Sequence, residues 1–206
     1  MAWWTEHVVP RVTDAALRGP ALARARGRTC TGLHGRVLEL GFGSGLNLLR
    51  LPPEVTDVGA VEPSDLAWRM SEPRRASSDV AVERLGLDGP VIAARDASYD
   101  SALCTFTLCT IPDALAALTE VRRLVRPGGG FHFLEHGLAD DERTRTWQRR
   151  LEPFQRRLAG GCHLTRDPSA LVEEAGMTIR SVQTGALEGV AGPAALTFGY
   201  RGSATV

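Results

Sequence analysis

The chain has no excess charge of either sign and no long apolar segment. Its 24 basic residues, all of them arginine, balance 24 acidic residues, so the formal net charge is zero. A chain without a positive field is not expected to bind nucleic acid through the phosphates. No apolar run approaches the roughly 20 residues that a bilayer-spanning helix needs. The first residues, from Met1 to Glu6, lack the charged and apolar regions of a signal peptide. We therefore expect neither nucleic-acid binding nor stable membrane insertion.

Closely spaced pairs of cysteines are also missing. The four cysteines, Cys30, Cys104, Cys109 and Cys162, form no C-x-x-C motif, and the adjacent pair Cys162–His163 lacks clear companion ligands. Because protein metal sites need three or four suitably spaced ligands, no metal site is expected. Cysteines without a disulfide framework indicate a reduced, cytoplasmic protein.

In size and composition the chain is an ordinary globular protein. It has 206 residues, of which 43% are hydrophobic and 23% charged, and it contains no internal repeat and no low-complexity segment. A chain of this length can bury a proper core as one domain. We therefore predict a single domain over residues 1–206, in which residues 1–33 form an amino-terminal helical extension.

The most informative segment, residues 37–47, reads VLELGFGSGLN. Its first four residues predict a buried strand of a parallel sheet. The glycines that follow, Gly41, Gly43 and Gly45, let the backbone turn sharply and approach a ligand closely. The dinucleotide fingerprint is G-x-G-x-x-G, but its last position here is Leu46, which favours S-adenosylmethionine over a nicotinamide or flavin cofactor. The backbone N–H groups of this loop are predicted to hold the methionine carboxylate at the start of a helix.

Acidic residues follow the next two predicted strands. The segment 55–62 reads as a strand that ends in Glu62, and a carboxylate at this place accepts ribose hydroxyls in doubly wound folds. A third apolar run, 80–87, ends at Asp88–Gly89, where the acid is predicted to accept the adenine amino group. The later alternation predicts a doubly wound α/β sheet, with strands at 99–106, 131–135, 177–182 and 194–200, and helices at 64–76, 112–126, 140–158 and 168–176. The helix over 64–76 is predicted to break at Pro73, and the one over 140–158 near Pro153.

In combination these features resemble the class I S-adenosylmethionine-dependent methyltransferases. The resemblance covers roughly residues 37–135 and includes the glycine loop, the two acids and the Arg-Pro-Gly-Gly turn at 126–130. It implies a seven-stranded Rossmann-like sheet closed by an antiparallel strand pair. The segments 105–112, 133–136 and 161–166 are similar to bacterial relatives of the animal alkyl-thiol methyltransferases. Those animal proteins carry an amino-terminal membrane segment, and none is expected within these 206 residues. The resemblance implies methyl transfer to a small molecule that bears a thiol or hydroxyl.

The strand ends and the resemblance together define a candidate site. The predicted cofactor-binding residues are Glu39, Gly41, Phe42, Gly43, Gly45, Asn47, Glu62, Pro63, Asp88, Gly89, Thr105 and Phe106. His136 and His163 are the candidate catalytic bases. Trp4, Glu135 and Arg166 are the candidate substrate contacts, with Arg166 paired to Glu135 or to an anionic substrate. As alternatives, His136 fixes a loop by hydrogen bonds and Trp4 packs on the core. The amino-terminal extension either lies over the cofactor pocket or packs without touching a ligand.

Two other functions share parts of this pattern. A Rossmann oxidoreductase that uses NAD(P) has the same glycine loop and the same acid at Glu62, although Leu46 and the turn at 126–130 argue against it. A non-catalytic S-adenosylmethionine-binding protein keeps the loop but has no acceptor site. Turnover of S-adenosylmethionine with a panel of acceptors distinguishes a methyltransferase from such a non-catalytic binding protein.

Overall fold

The computed structural model describes residues 2–88, 91–187, 190 and 192–206, with the backbone alone at Ala2 and Asp88. In chain order the elements are α1 Ala2–His7, α2 Val9–Leu17, α3 Pro20–Cys30, β1 Gly35–Leu40, a 3-10 turn Leu48–Arg50, β2 Val55–Val61, α4 Asp65–Met70, α5 Glu72–Ala76, β3 Ala81–Leu85, β4 Leu87–Asp88, β5 Val91–Ile92, β6 Tyr99–Thr105, α6 Ala114–Leu124, β7 Val125–His136, α7 Glu142–Leu158, α8 Pro168–Glu174, β8 Thr178–Ala186, α9 Ala194–Thr197 and β9 Phe198–Thr205.

Seven strands form one sheet in the order β3-β2-β1-β6-β7-β9-β8. The first five of these pair in parallel, while β9 runs antiparallel to both β7 and β8. Strands covered on both faces read as nearly continuous apolar runs, and every residue of β6 except Asp100 is buried. The predicted doubly wound, seven-stranded Rossmann-like sheet is confirmed, including its closing antiparallel pair.

Side chains of β1 alternate between the two faces of the sheet. Leu38 and Leu40 pack with residues of α6 and α8. Val37 faces the other way, toward Cys30 at the end of α3. Because Glu39 lies two residues after Val37, it faces α3 as well, and only 1% of it is exposed. The alternation thus places an acid inside the fold, next to the glycine loop.

Two predictions near the site are wrong. No α-helix follows the glycine loop: the 3-10 turn gives way to an extended Leu51, because the next residue is proline and disfavours a helical conformation before it. The predicted turn at 126–130 is a bulge inside β7, where the strand advances by five residues against two of β6 between the pairs Tyr99–Val125 and Ser101–Gly130.

Two predicted helix breaks and the start of the last strand also differ from the predictions. The helix predicted over 64–76 is broken, as predicted, but the break lies at Ser71, between α4 and α5, rather than at Pro73, since Pro73 is tolerated in the first turn of a new helix. Helix α7 continues through Pro153 without the predicted interruption. The strand predicted over 194–200 begins only at Phe198, because Ala194–Thr197 forms one helical turn.

The amino-terminal extension packs against the glycine loop. Asp14 on α2 accepts a hydrogen bond from Ser44 Oγ at 2.6 Å and pairs with Arg74 of α5 at 3.0 Å. The extension therefore lies at the carboxyl edge of the sheet, which is the first of the two predicted alternatives. None of the helices in the described part of the chain has the length and apolar character needed to cross a membrane.

Candidate active site

A cavity of about 610 Å³ opens at the carboxyl ends of β1, β2 and β6, where ligands bind in doubly wound folds. The predicted cofactor residues in its wall are Gly41, Phe42, Gly43, Glu62, Pro63, Thr105 and Phe106. Glu39, Gly45 and Asn47 are not in the wall: all three are buried, Gly45 within the loop and the other two behind it. Gly89 and the side chain of Asp88 lie outside the described residues, so the adenine contact stays a prediction.

The glycines of the loop meet different surroundings, although all three have positive φ angles, of 72°, 58° and 77°. A Cβ on Gly41 would lie 2.0 Å from Thr107 Oγ1, and one on Gly45 would lie 3.2 Å from the Phe42 ring. A Cβ on Gly43 would meet nothing closer than a carbonyl oxygen at 4.0 Å. Gly43 therefore leaves room for a ligand, whereas Gly41 and Gly45 leave room for the protein's own side chains.

Glu62 joins the glycine loop to the start of α4. Its Oε2 accepts a hydrogen bond from the backbone N–H of Gly43 at 2.6 Å, and its Oε1 accepts one from Ser64 N–H at 2.7 Å. Burial raises the pKa of this carboxyl, and the two N–H donors oppose that effect. Because each carboxylate oxygen has a second lone pair, Glu62 can accept a ribose hydroxyl while it holds the loop.

A buried polar network supports the loop from behind. Arg26 Nη1 donates to Asn47 Oδ1 at 2.9 Å and to Thr105 Oγ1 at 2.6 Å, and Asn47 Nδ2 donates to Glu39 Oε1 at 2.7 Å. Burial raises the pKa of Glu39 to about 7 and lowers that of Arg26. Arg26 Nε and Glu39 Oε2 have no partner among the described residues. Since Arg26 also lines the cavity, the network brings a positive charge to the cavity wall.

Phe106 connects this network to the neighbouring strand. Its backbone is left-handed, with φ of 54°, which is rare for a bulky residue and common at functional sites. The guanidinium of Arg26 lies 5.2 Å from the centre of its ring, and the His136 ring meets it edge-on at 5.2 Å. Phe106 thus forms the cavity wall with Arg26 on one side and His136 on another.

The two candidate bases are not in the cavity wall. His136 lies behind Phe106, next to Cys109 and Cys162. A hydrogen bond from the Cys109 thiol lowers the pKa of Cys162, and His136 lowers it further. His163 has its Nδ1 3.1 Å from Glu152 Oε1. These positions do not support a role as base for either histidine, and the loop-fixing alternative fits His136 better.

Glu135 is fully buried rather than exposed to the cavity. Its two carboxylate oxygens accept hydrogen bonds from Thr107 N–H at 2.9 and 3.0 Å, and Oε2 also accepts one from Cys109 N–H at 3.4 Å. Cys104 Sγ lies 3.3 Å from Oε1. Glu135 therefore fixes the loop after β6, and its position does not support the predicted contact with substrate.

Arg166 and Trp4 contact the protein and are not in the cavity wall. Arg166 donates to three carbonyl oxygens of the loop 108–112 and, within the described residues, forms no ion pair with Glu135, which corrects the predicted pairing. Trp4 Nε1 donates to Leu158 O at 3.1 Å, and 39% of Trp4 is exposed. Neither position supports a contact with substrate.

Sequence reasoning missed Arg26, for which a signal was available. The buried residues of α3 are spaced as one face of a helix: Leu22, Ala25, Arg26, Thr29 and Cys30. Arg24 and Arg28 on the same helix are exposed. An arginine on the buried stripe of a helix indicates a functional or paired charge, because an unpaired buried charge is costly.

Comparisons with known proteins agree with this geometry. A family profile described as "Methyltransferase domain" matches residues 14–182. Thiol S-methyltransferase TMT1B of Rattus norvegicus is 34% identical over 145 residues, which are 68% of this chain and 58% of that protein. Thiol S-methyltransferase TMT1A of Homo sapiens is 32% identical over 153 residues, which are 71% of this chain and 62% of that protein. The alignments therefore span about three fifths of the length of these relatives.

Solved structures share the fold at low sequence identity. A Thermotoga maritima S-adenosylmethionine-dependent methyltransferase, titled a possible histamine N-methyltransferase, has a TM-score of 0.66 at 19% identity over 98% of this chain and 99% of its own. A Mesorhizobium loti S-adenosylmethionine-dependent methyltransferase has a TM-score of 0.66 at 18% identity over 92% of this chain and 100% of its own. Sheet order, glycine loop and sequence family agree, and the chain belongs to the class I methyltransferase-domain family, whose cofactor is S-adenosylmethionine.

Proposed function

We propose that this chain transfers the methyl group of S-adenosylmethionine to the sulfur of a small, apolar thiol. The observation that carries the proposal is one cavity that combines the glycine loop with an apolar wall. The apolar wall residues include Val9, Pro10, Leu17, Ile111, Pro112 and Ala117. The cavity volume, about 610 Å³, falls within the roughly 300–1,000 Å³ of small-molecule sites.

The residues at the glycine loop fit the cofactor. Gly43 leaves open space for close approach to its backbone, Glu62 offers free lone pairs to the ribose, and Arg26 offers a positive charge to the methionine carboxylate. S-adenosylmethionine supplies a methyl sulfonium that is already activated for transfer. What the chain contributes is alignment of the acceptor with the methyl carbon, and positioning of this kind can lower a barrier by up to about 7–11 kcal/mol.

A thiol suits the cavity because its wall offers no evident general base. No histidine occurs among the described wall residues. The wall holds three acids, and each is already bound. Asp14 is bound to Ser44 and Arg74, Glu62 accepts from the N–H groups of the glycine loop and α4, and Asp113 caps α6 by accepting from Ala116 N–H. Thiols ionise far more readily than alcohols and therefore need less help from a base. The relatives named thiol S-methyltransferases support the same acceptor.

The setting of the reaction follows from charge and cysteine chemistry. A formal net charge of zero supports a small-molecule acceptor rather than a nucleic acid. All four cysteines are free and buried, which supports a reducing, cytoplasmic location.

Two alanine substitutions in the glycine loop are expected to separate cofactor binding from stability. Both place a Cβ at positive φ and share that backbone cost. Gly43→Ala fills the open space and should weaken S-adenosylhomocysteine binding by about 10-fold, with a small loss of stability. Gly41→Ala pushes against Thr107 and should cost an extra 1–3 kcal/mol of unfolding free energy, as overpacking typically does. Calorimetry and urea unfolding measure the two effects, and equal affinities for wild type and a folded Gly43→Ala protein would contradict the assignment.

The proposed activity is tested with acceptors of matched size. Purified chain and S-adenosylmethionine are incubated with hexanethiol, hexanol or hexylamine, and S-adenosylhomocysteine is quantified. We expect turnover with the thiol alone, because the alcohol and the protonated amine both need a base. Turnover of the alcohol at a similar rate would show that the acceptor class is wrong.

The pH dependence of thiol turnover provides a further control. Without a protein base, the rate should follow ionisation of the thiol and keep rising through pH 9, because an unsubstituted alkanethiol is a weaker acid than the cysteine side chain, whose pKa is ~8.5. A plateau reached in the histidine range, near ~6.5, would instead indicate a histidine base. Cofactor binding without turnover of any acceptor would favour a non-catalytic protein.

A further inference from the structure

Two thiols and an imidazole meet behind the wall of the cavity. One ligand atom each from Cys109, His136 and Cys162 lies within 4.8 Å of both others. The two cysteines are 2% and 4% exposed, and both are free. In the described part of the chain, no other His, Cys, Asp or Glu side chain joins this cluster.

Three separate segments bring these side chains together, and a backbone hydrogen bond fixes two of the segments to each other. Cys109 follows β6, His136 ends β7, and Cys162 follows α7. The carbonyl of Cys109 accepts a hydrogen bond from His163 N–H at 2.7 Å. A turn with positive φ at Gly160 and Gly161, of 61° and 94°, leads the chain into Cys162. The backbone of the fold therefore sets the positions from which these side chains meet.

We propose that Cys109, Cys162 and His136 form a binding site for one thiophilic divalent cation, with Zn²⁺ as the expected ion. Two thiolates and one imidazole are a preferred donor set for zinc. Sulfur ligands about 2.3 Å from a tetrahedral ion lie roughly 3.8 Å apart, so small side-chain rotations bring the present cluster to that geometry. Binding replaces the thiol protons, which are released to solvent.

The fourth ligand of this ion is expected to come from solvent. Gln155 lies beside Cys162 and can orient that ligand through a hydrogen bond, as residues around metal sites commonly do. The ion would tie three segments to each other, and two of them continue directly into the cavity wall at Thr110, Ala159 and Gly160. Metal binding should therefore raise the thermal stability of the whole chain, because the unfolded chain lacks the assembled site.

The sequence pair Cys162–His163 offers a matched control. His163 is adjacent to a proposed ligand, yet its Nδ1 contacts Glu152 at 3.1 Å and it is not part of the cluster. Cys30 offers a second control, because it is a fully buried free thiol on the other side of the chain's core. Substitution of His163 or Cys30 therefore removes a histidine or a cysteine without removing a proposed ligand.

Metal binding is measured on the full chain after chelator treatment and reduction by a phosphine, which leaves thiols reduced without adding one. Zn²⁺ is titrated in competition with a chromogenic chelator, and Co²⁺ is titrated as a spectroscopic probe. We expect one Zn²⁺ per chain, a rise in the unfolding temperature, and a thiolate-to-cobalt charge-transfer band. Cys109→Ser, Cys162→Ser and His136→Ala should each weaken Zn²⁺ binding by at least about 100-fold. Cys30→Ser and His163→Ala should bind as wild type does.

Each variant is first checked for folding by circular dichroism and by its metal-free unfolding temperature. If one ligand variant fails to fold, the other two carry the test. The absence of stoichiometric Zn²⁺ binding by the reduced wild-type chain would overturn the proposal. Retention of the cobalt charge-transfer band in both Cys162→Ser and Cys109→Ser would overturn it as well. Neither result depends on methyl transfer, so the proposed function is tested separately.

Discussion

Replacement of Glu135 by alanine is expected to lower the free energy of unfolding by about 3–5 kcal/mol. The carboxylate is fully buried and accepts hydrogen bonds from Thr107 N–H, Cys109 N–H and the Cys104 thiol. Alanine leaves these donors inside the protein without an acceptor, and each buried, unsatisfied donor costs about 1–3 kcal/mol. Urea unfolding at neutral pH measures the effect. The loop after β6, which forms part of the cavity wall, should be the first segment to lose protection from hydrogen exchange.

Two control variants make this result specific. Glu135→Gln keeps one carbonyl oxygen in place and should cost about half as much as alanine, because one side-chain acceptor remains. Glu174→Ala removes an exposed carboxylate, and such surface substitutions usually change stability by less than about 0.5 kcal/mol. If Glu135→Ala were as stable as Glu174→Ala, the loop would not depend on this carboxylate.

The sheet and the cofactor loop could be predicted because their signals are local. The apolar runs of β1, β2 and β6 and the acid after β2 are visible in short windows of sequence. Their order in a doubly wound sheet follows from the alternation of strands and helices. The errors in the predicted secondary structure have local causes as well. The helix after the glycine loop is prevented by Pro52, and the helical turn before β9 uses the helix formers Ala194, Ala195 and Leu196.

The roles of single side chains depend on contacts between distant segments, and no sequence window contains them. The spacing G-x-G-x-G does not show that Gly41 faces Thr107 while Gly43 faces the cavity. Glu135 at the end of a strand looks the same whether it faces a substrate or the backbone of another loop. The Cys109–His136–Cys162 cluster unites residues from three segments, and no one segment contains more than one of them.

Arg26→Gln is expected to weaken the binding of S-adenosylhomocysteine by about 100-fold, which corresponds to nearly 3 kcal/mol. The Arg26 side chain is 4% exposed, lines the cavity and has an unpaired Nε. Its charge is the only one of positive sign among the described wall residues. Loss of a charge-assisted bond in such a buried site costs more than loss of one in water. Calorimetric titration of wild type and variant measures the change.

A ligand without the amino-acid part tests which group Arg26 contacts. Methylthioadenosine retains the adenine and ribose of the cofactor but has no carboxylate. Its affinity should be nearly unchanged by Arg26→Gln. If both ligands lost affinity equally, Arg26 would act by supporting the glycine loop through Asn47 and Thr105 rather than by holding the carboxylate.

The double variant Arg26→Gln/Glu39→Gln separates cofactor binding from charge balance inside the protein. Burial raises the pKa of Glu39 to about 7, so its charged form is disfavoured in the fold. For a carboxyl with a raised pKa, the stabilising contribution is complete below its unfolded pKa and is lost as the pH rises through about 7. Above that pH, Glu39 is charged and Arg26 balances it. Arg26→Gln alone leaves the Glu39 charge unbalanced and should lower the free energy of unfolding at pH 8. The double variant, which removes both charges, should restore that stability but leave S-adenosylhomocysteine binding weak. If the double variant instead regained wild-type affinity, the function of Arg26 would be to neutralise Glu39.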